Sequence, residues 1–499
     1  MPQRTAEHRT GEAGGRGVVA VLAGAAISVA VMQTLVVPVI ADLPVLLDTS
    51  AATAGWVVTS TLLAAAVATP VMGRLGDLHG KRRMLVVSLA VMVTGSLISA
   101  GTDDPVVMIV GRTLQGFGMG VIPLGIGIMR DVLPGRRLAS GLAVMSSSIG
   151  VGGGLALPAA ALVAQHTDWH ALFLGSALLG TVSAAAVLAV VPGGPGLARG
   201  GFDLPGAVGL TAGMVALLLP VTKGDAWGWT APVTLALFGA AALLLTVWGW
   251  WELRCPSPLV DLRTSARREV LLTNLASLLL GMAFYTISLV LPALLQLPTG
   301  TGYGLGQSMV TAGLALAPLG LTMLLVSPLY ARLSERYGPR AALLTGMAVL
   351  VAGHGAGIVM MAAVWQTVVI AVVLGVGIGL AYSALPALIN AAVDPSRTGA
   401  ANGLNALMRS VGTAVSSAVV GMVLARTART WDGVAVPGPE GFRISFALAT
   451  GAVAVGMVLA FLLPARRGAR AVTAPGTGPE PGGPAAGSAR GAAPAPHSG

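Results

Sequence analysis

Apolar stretches of about twenty residues, separated by short polar or Pro/Gly-rich breaks, recur along almost the whole chain. A bilayer core takes about 20 predominantly apolar residues per helix. The pattern therefore predicts about fourteen membrane-spanning helices. Helices 1 to 7 are expected near 18–40, 54–73, 84–101, 106–128, 139–163, 171–191 and 206–222, and helices 8 to 14 near 231–251, 270–294, 307–329, 341–361, 366–388, 400–424 and 443–463. The first run follows a basic leader with Arg4, Arg9 and Arg16 and exceeds the apolar region of a cleavable signal, roughly 7–15 residues. It reads as a retained first helix. The tail after Arg470 is rich in Gly, Ala and Pro, and with few large apolar side chains it cannot offset the entropy of ordering. Disorder is expected there.

Composition supports the same class. Of 499 residues, 55% are hydrophobic and only 10% charged, which excludes a water-soluble globule. The net charge of +10 raises the question of nucleic acid, but the charges sit in short connections between apolar runs. That is membrane topology, and no nucleic-acid partner is expected. Cys255 is the single cysteine, so no internal disulfide can form, and no cluster of metal-ligating residues occurs. No catalytic or metal site is expected.

Lysine and arginine set the orientation, because cytoplasmic loops carry their excess. Of the 29, about 23 lie in the termini and alternate connections, among them Arg74, Lys81, Arg82, Arg83, Arg130, Arg136, Arg137, Arg254, Arg263, Arg332, Arg336 and Arg340. Lys223, Arg426, Arg429 and Arg443 fall on the other side, and Arg112 and Arg409 lie inside spans. Both termini are thus expected in the cytoplasm. All nine tryptophans lie at or near span ends, as interfacial belts require.

The chain repeats itself. Gly73-Arg74-Leu75-Gly76-Asp77-Leu78-His79-Gly80-Lys81-Arg82 matches Ala331-Arg332-Leu333-Ser334-Glu335-Arg336-Tyr337-Gly338-Pro339-Arg340 in its basic, Leu, acidic, Gly and basic positions. Pro134-Gly135-Arg136 recurs later as Pro395-Ser396-Arg397. Two related halves follow. The division is a leader 1–17, a six-helix half 18–192, a linker with inserted helices 7 and 8 at 193–253, a second six-helix half 254–465 and a cytoplasmic tail 466–499. Repeat-built transporters bind substrate between the halves and rock them alternately open.

Three motifs carry chemistry, each beside a plainer reading. In the loop after helix 2, Gly76 and Gly80 suit a tight turn, while Asp77 can pair with basic residues or a neighbouring helix N-terminus. The plainer reading is an ordinary basic inside loop. Helix 4 holds Arg112-Thr113-Leu114-Gln115-Gly116-Phe117-Gly118. A guanidinium inside a span normally faces a cavity or a partner, or is a strut held by carbonyls. Helix 5 holds Gly150, Gly152, Gly153, Gly154 and Pro158, small residues that also serve close helix packing.

The spacing G-x-L-x-D-x-x-G-K-R-R resembles the signature loop of the major facilitator superfamily, whose loop latches the outward-facing state. That resemblance assigns Gly73, Asp77, Gly80, Lys81 and Arg82 to a latch. R-x-x-Q-G-x-G in helix 4 resembles the second signature of the proton-driven drug exporters, which links Arg112 to proton coupling. Helix 5 resembles the exporter-specific antiporter signature at Gly150, Gly154 and Pro158, although the usual Gly-Pro pair reads Gly150-Val151 here. Phe202 to Gly206, Trp227-Gly228-Trp229 and Ala401 to Asn405 with Arg409 look like landmarks of the fourteen-helix drug:proton antiporters. The resemblance covers roughly residues 18–463 and implies an all-α polytopic membrane protein of the major facilitator fold, two six-helix halves plus an inserted helix pair.

One position departs from that family. Its usual mid-helix 1 aspartate, in a pattern like L-D-x-T, is replaced by Met32-Gln33-Thr34, and no acidic residue lies at the centre of any predicted span. Coupling candidates are therefore Arg112, Asp131 near a helix end and His354 in helix 11, which also reads as a packed, hydrogen-bonded histidine. Gln33, Gln115, Asn405 and Arg409 are candidates to line the substrate cavity. Tyr285 and Tyr382 could join them.

The expected function is secondary active export of drugs, antibiotics or secondary metabolites across a bacterial plasma membrane by proton antiport. No cofactor beyond the proton gradient is called for, and the partners are a small molecule, protons and lipid around a monomer. Proton-coupled uptake or facilitated diffusion of a small solute is the alternative. No G-x-x-x-x-G-K-[ST] occurs, so an ATP-driven pump would need a separate ATPase subunit. A membrane enzyme would need a convergent acid, base or nucleophile cluster, and no such cluster is legible.

Overall fold

A computed structural model describes residues 2–36, 39, 42–196, 198 and 200–464. The tail expected to be disordered lies outside the described residues. The spans form as α1 Pro2–Thr34, α2 Ala51–His79, α3 Lys81–Ala100, α4 Pro105–Val132, α5 Gly135–His166, α6 His170–Val190 and α7 Leu204–Trp227. They continue as α8 Pro232–Glu252, α9 Arg268–Gln296, α10 Met309–Tyr337, α11 Pro339–Gly357, α12 Val364–Ala392, α13 Thr398–Arg426 and α14 Pro439–Phe461. Among the described residues thirteen are long and apolar enough to cross a membrane. The exception is α11, long enough at 19 residues but diluted by Arg340, His354 and glycines at 353, 355 and 357. A two-stranded antiparallel hairpin, β1 Ala428–Trp431 and β2 Val434–Pro437, links α13 to α14.

Helix starts follow local chemistry. Ser50 Oγ accepts the Thr53 N–H, Asp104 accepts those of Val106 and Val107, and Ser308 accepts that of Thr311, each satisfying donors that a helix N-terminus leaves unpaired. The signature loop after helix 2 is shorter than its sequence suggested. Residues from Gly73 to His79 continue α2, and only Gly80, at φ +97°, makes the turn into α3. Gly76 serves packing instead, because a Cβ there would run into Leu124 of α4. The repeat is visible in this detail, since Gly338 makes the matching turn between α10 and α11 at φ +86°.

Helix pairing repeats in the same way. In the first half α1 packs on α5 and α6, α2 on α4, and α3 on α4 and α6. In the second, α9 packs on α13 and α14, α10 on α12, and α11 on α12 and α14. The halves meet along two seams, α2 with α13 and α5 with α10, which the same exchange of halves interconverts. Helix α7 lies over the α2–α13 seam, where Ala207, Leu210, Met214 and Leu218 join Leu63, Ala66, Leu404, Leu407 and Val411 in one apolar cluster. Helix α8 packs on the outside of α7.

Both ends of the bundle chain lie on one side. A Cβ on Gly15 would touch Leu133 just past α4 and Arg137 in the first turn of α5, and Arg340 donates to the Ala460 and Phe461 carbonyls that end α14. This side, with Asp77, Arg130 and Arg397, is the basic end.

Candidate transport site and latch

At the basic end the two halves are tied by backbone amides. Asp77, 1% exposed, accepts the Gly399 N–H at 3.0 Å and the Ala400 N–H at 2.9 Å, in the first turn of α13. A carboxylate there also meets the positive end of the helix dipole. The approach requires glycines on both sides: a Cβ on Gly73 would collide with the Gly399 carbonyl, and one on Gly399 would lie 2.8 Å from Asp77 Oδ1. Gly403 repeats this one turn on, facing Thr69 and Pro70. Arg130 at the end of α4 adds a second tie, donating to the Thr398 hydroxyl and, at 3.0 Å, to the Val393 carbonyl just past α12.

The remaining latch residues stay within the first half. Lys81 pairs with Asp131 at 2.6 Å, its own side chain 6% exposed and the carboxylate 34%. Arg82 donates to the Leu188 carbonyl near the end of α6. Asp131 therefore stands at the basic end beside the latch rather than midway along a span.

Arg112 lies deep inside the first half, 1% exposed. Its Nε donates to the Val57 carbonyl at 3.2 Å, and its Nη1 to Gln115 Oε1 at 2.6 Å and the Met32 carbonyl at 3.4 Å. Gln115 passes the chain on through Nε2 to Ser96 Oγ at 2.7 Å, which contacts Ser176 Oγ at 3.2 Å. One charge thus ties α1, α2 and α4, and its network continues to α3 and α6. No carboxylate lies within 4 Å of it among the described residues. Gly116 and Gly118 let α4 nest against α2 and α3, since Cβ atoms there would strike the Thr61 carbonyl and Met92.

The second half holds a different arrangement. Arg409 of α13 stacks over the Tyr382 ring of α12 at 5.1 Å, and Phe284 of α9 adjoins that ring at 5.9 Å. The Tyr382 hydroxyl is buried without a hydrogen-bond partner among the described residues. Asn405 is consumed in a strut to α9, donating to Asn274 Oδ1 at 2.9 Å and accepting from Ser277 at 3.3 Å. His354 is fully buried, its ring nitrogens 2.9 Å and 3.3 Å from the Leu350 and Ala283 carbonyls. Gln33 is half-buried on α1, next to the Met32 carbonyl that Arg112 holds.

Along the α5–α10 seam, Gly150 faces Gly320 and Met323, Gly154 faces Ala317, and Pro158 faces Gly313. Ser147 donates to the Met323 carbonyl at 2.5 Å and Ser146 to the Tyr382 carbonyl at 3.2 Å, so both polar ties cross between halves. Arg130, Gly320 and Gly399 were not singled out from sequence. Arg130 reads as one more inside charge, and the two glycines act through what they lack.

The Major Facilitator Superfamily profile matches residues 22–311 and 273–493. The chain is 28% identical over 389 residues to the "Probable actinorhodin transporter" of Streptomyces coelicolor, covering 73% of this chain and 65% of that protein. It is 28% identical over 391 residues to the "Tetracenomycin C resistance and export protein" of Streptomyces glaucescens, covering 76% and 70%. Against the "Multidrug resistance protein B homolog" of Mycobacterium tuberculosis the identity is 28% over 310 residues, covering 61% and 56%. The chain thus spans just under two thirds of the first relative and just over half of the third. Among solved structures, the human organic anion transporter MFSD10 superposes with a TM-score of 0.61 at 16% identity, covering 89% of this chain and 99% of that one. The proton:xylose symporter XylE gives 0.62 at 12% identity, covering 92% and 97%. At those identities the likeness speaks for the fold.

Proposed function

Because the chain belongs to the major facilitator superfamily, we propose that it exports small organic molecules, antibiotics or other secondary metabolites and drugs, from a bacterial cytoplasm by proton antiport. The observation that carries the reading is the clamp of Asp77 on the Gly399 and Ala400 amides. It joins the halves at one end only by groups that can part as a unit, as alternating access requires. The excess of Lys and Arg puts that end in the cytoplasm, and both termini with it. Relatives that carry the names of an antibiotic transporter, an antibiotic export protein and a multidrug resistance protein support the outward direction.

Substrates are neutral or anionic in this reading. A lipophilic cation would want a carboxylate partner, and among the described residues the charges midway along the spans are Arg112 and Arg409. Arg409 on Tyr382 and Phe284 offers a cation and two aromatic faces to an aromatic acid or phenol. For the proton, Asp131 is the candidate with access to water, paired with Lys81 beside the latch. The protein works as a monomer with no cofactor but the gradient.

The absence of an acidic residue at the centre of any predicted span favours a second reading, facilitated diffusion. Purified protein in proteoliposomes separates the two. Antiport predicts uphill movement of an anionic dye under an imposed pH gradient and none when an ionophore collapses it. Equal equilibration with and without the gradient would leave the facilitator.

A further inference from the structure

Beside the latch lies a cavity of about 300 Å³, lined in part by Ala400 of the clamp. Its walls come from Arg74 of α2, Ala198 of the α6–α7 connection, the α8–α9 connection from Pro256 to Ser265 with Val270 at the start of α9, and the α12–α13 corner with Arg397 and Ala401. The volume is at the lower end of the range that small-molecule sites occupy.

Arg74 is 6% exposed, and its buried Nε has no hydrogen-bond partner among the described residues. A buried donor of a charged group left without a partner is costly. The acidic groups nearest to Arg74 are otherwise engaged or apart from it. Asp77 gives its oxygens to the Gly399 and Ala400 amides, and Glu252, though it attracts Arg74, makes no ion pair with it. Across the cavity Arg397 pairs with Asp261 and at the same time repels Arg74. Two guanidinium groups from opposite halves therefore face one space, the first with its buried Nε unpartnered among the described residues and the second paired with Asp261, which lines the same cavity. Hydroxyls of Ser257 and Thr264 complete a polar wall.

We infer that this cavity binds a phosphate group, bridged by Arg74 of the first half and Arg397 of the second, and that its occupancy holds the basic end closed. Tetrahedral oxygens can accept from two separated guanidinium forks at once, which suits phosphate to a site with arginines on different walls. A ligand that spans the halves binds the clamped state more tightly than the parted one, so it stabilises the clamp and slows turnover. The phosphate comes either from a soluble phosphorylated solute or from an anionic lipid headgroup.

The test uses the full-length protein. Thermal unfolding is followed in lipid-depleted detergent against inorganic phosphate, with chloride holding ionic strength constant, and separately in nanodiscs of phosphatidylcholine or phosphatidylglycerol. A saturable rise in Tm with free phosphate identifies a soluble ligand. A rise confined to phosphatidylglycerol discs identifies the headgroup. In either case Arg74→Gln weakens the apparent affinity about tenfold, as loss of a charged hydrogen bond does, and Ala401→Leu, which fills the cavity without touching charge, abolishes the response. Stabilisation by neither source, or an undiminished response in both variants, overturns the site.

Discussion

Asp77 and Gly399 stand 322 residues apart in the chain and are joined by a 3.0 Å hydrogen bond from the glycine N–H to the carboxylate. The bond is made to backbone, so no side chain on α13 announces it. What α13 supplies is an unsatisfied helix N-terminus and a residue without a Cβ, which brings that terminus within reach of α2. The geometry links a single acidic residue to the relative position of the two halves.

Asp77→Asn is expected to insert and fold, yet to lose one of the two amide bonds and the charge that favours the helix end, about 1–2 kcal/mol of the clamped state. Transport should fall roughly tenfold. Gly399→Ala attacks the same contact from the other side and should share the phenotype, because its methyl would press on Asp77 and the Gly73 carbonyl. Dye efflux, with cysteine accessibility at the basic end as the second readout, checks both. Wild-type efflux in the pair would remove the clamp from the transport cycle.

The spans were legible because a membrane imposes one length and one polarity on every element, and the repeat because Gly80 and Gly338 make the same turn. Asp77 was legible as a motif. Its partner was not, since Gly399 and Ala400 act through amides that every residue owns. Gln115 and Asn405 read equally well as cavity residues or struts, and only packing shows that their polar ends are spent on Arg112 and Asn274. Gly76 read as a turn because the signal for turning and the signal for close approach are both glycine.

The α5–α10 seam makes a second prediction in which neighbouring glycines differ. A Cβ on Gly154 would meet Ala317 Cα at 3.6 Å, ordinary contact, whereas one on Gly320 would strike the Gly150 carbonyl and lie 2.9 Å from Val151 Cα. Gly154→Ala should therefore be nearly silent. Gly320→Ala should destabilise by about 1–3 kcal/mol, as overpacking does, and Gly154→Leu should join it. Tm and efflux of the three variants give the ranking, and a silent Gly320→Ala would mean that the seam is looser than its backbone spacing.

Arg409 and Tyr382 give a third. Arg409→Gln should raise KM for an anionic aromatic dye about tenfold, the worth of a charged hydrogen bond, and leave a neutral substrate nearly unchanged. Tyr382→Phe removes a buried hydroxyl that has no partner among the described residues, so it should not lower Tm. Equal losses for neutral and anionic dyes in Arg409→Gln would make that arginine a structural group.

Coupling gives the last, and it rests on where Gln33 lies. Arg112 donates to the Met32 carbonyl, one residue before Gln33, and carries its charge with no carboxylate beside it among the described residues. Arg112→Ala would leave the Val57 and Met32 carbonyls and Gln115 Oε1 without their donor, and it should abolish uphill efflux while lowering Tm. Arg112→Lys keeps the charge but loses the planar fork, so partial efflux is expected. Gln33→Asp adds a titratable carboxylate on α1, one residue beyond the Met32 carbonyl that Arg112 holds. That group is ionised above its pKa, so efflux of a cationic dye should emerge as pH rises and vanish as pH falls, while anionic efflux weakens in the same range through repulsion. Dye efflux across an imposed gradient, measured over a pH series for all four proteins, reads these signs directly. If wild-type efflux ignores collapse of the gradient and Gln33→Asp acquires no pH-dependent cation efflux, the chain is a facilitator and Arg112 is a strut.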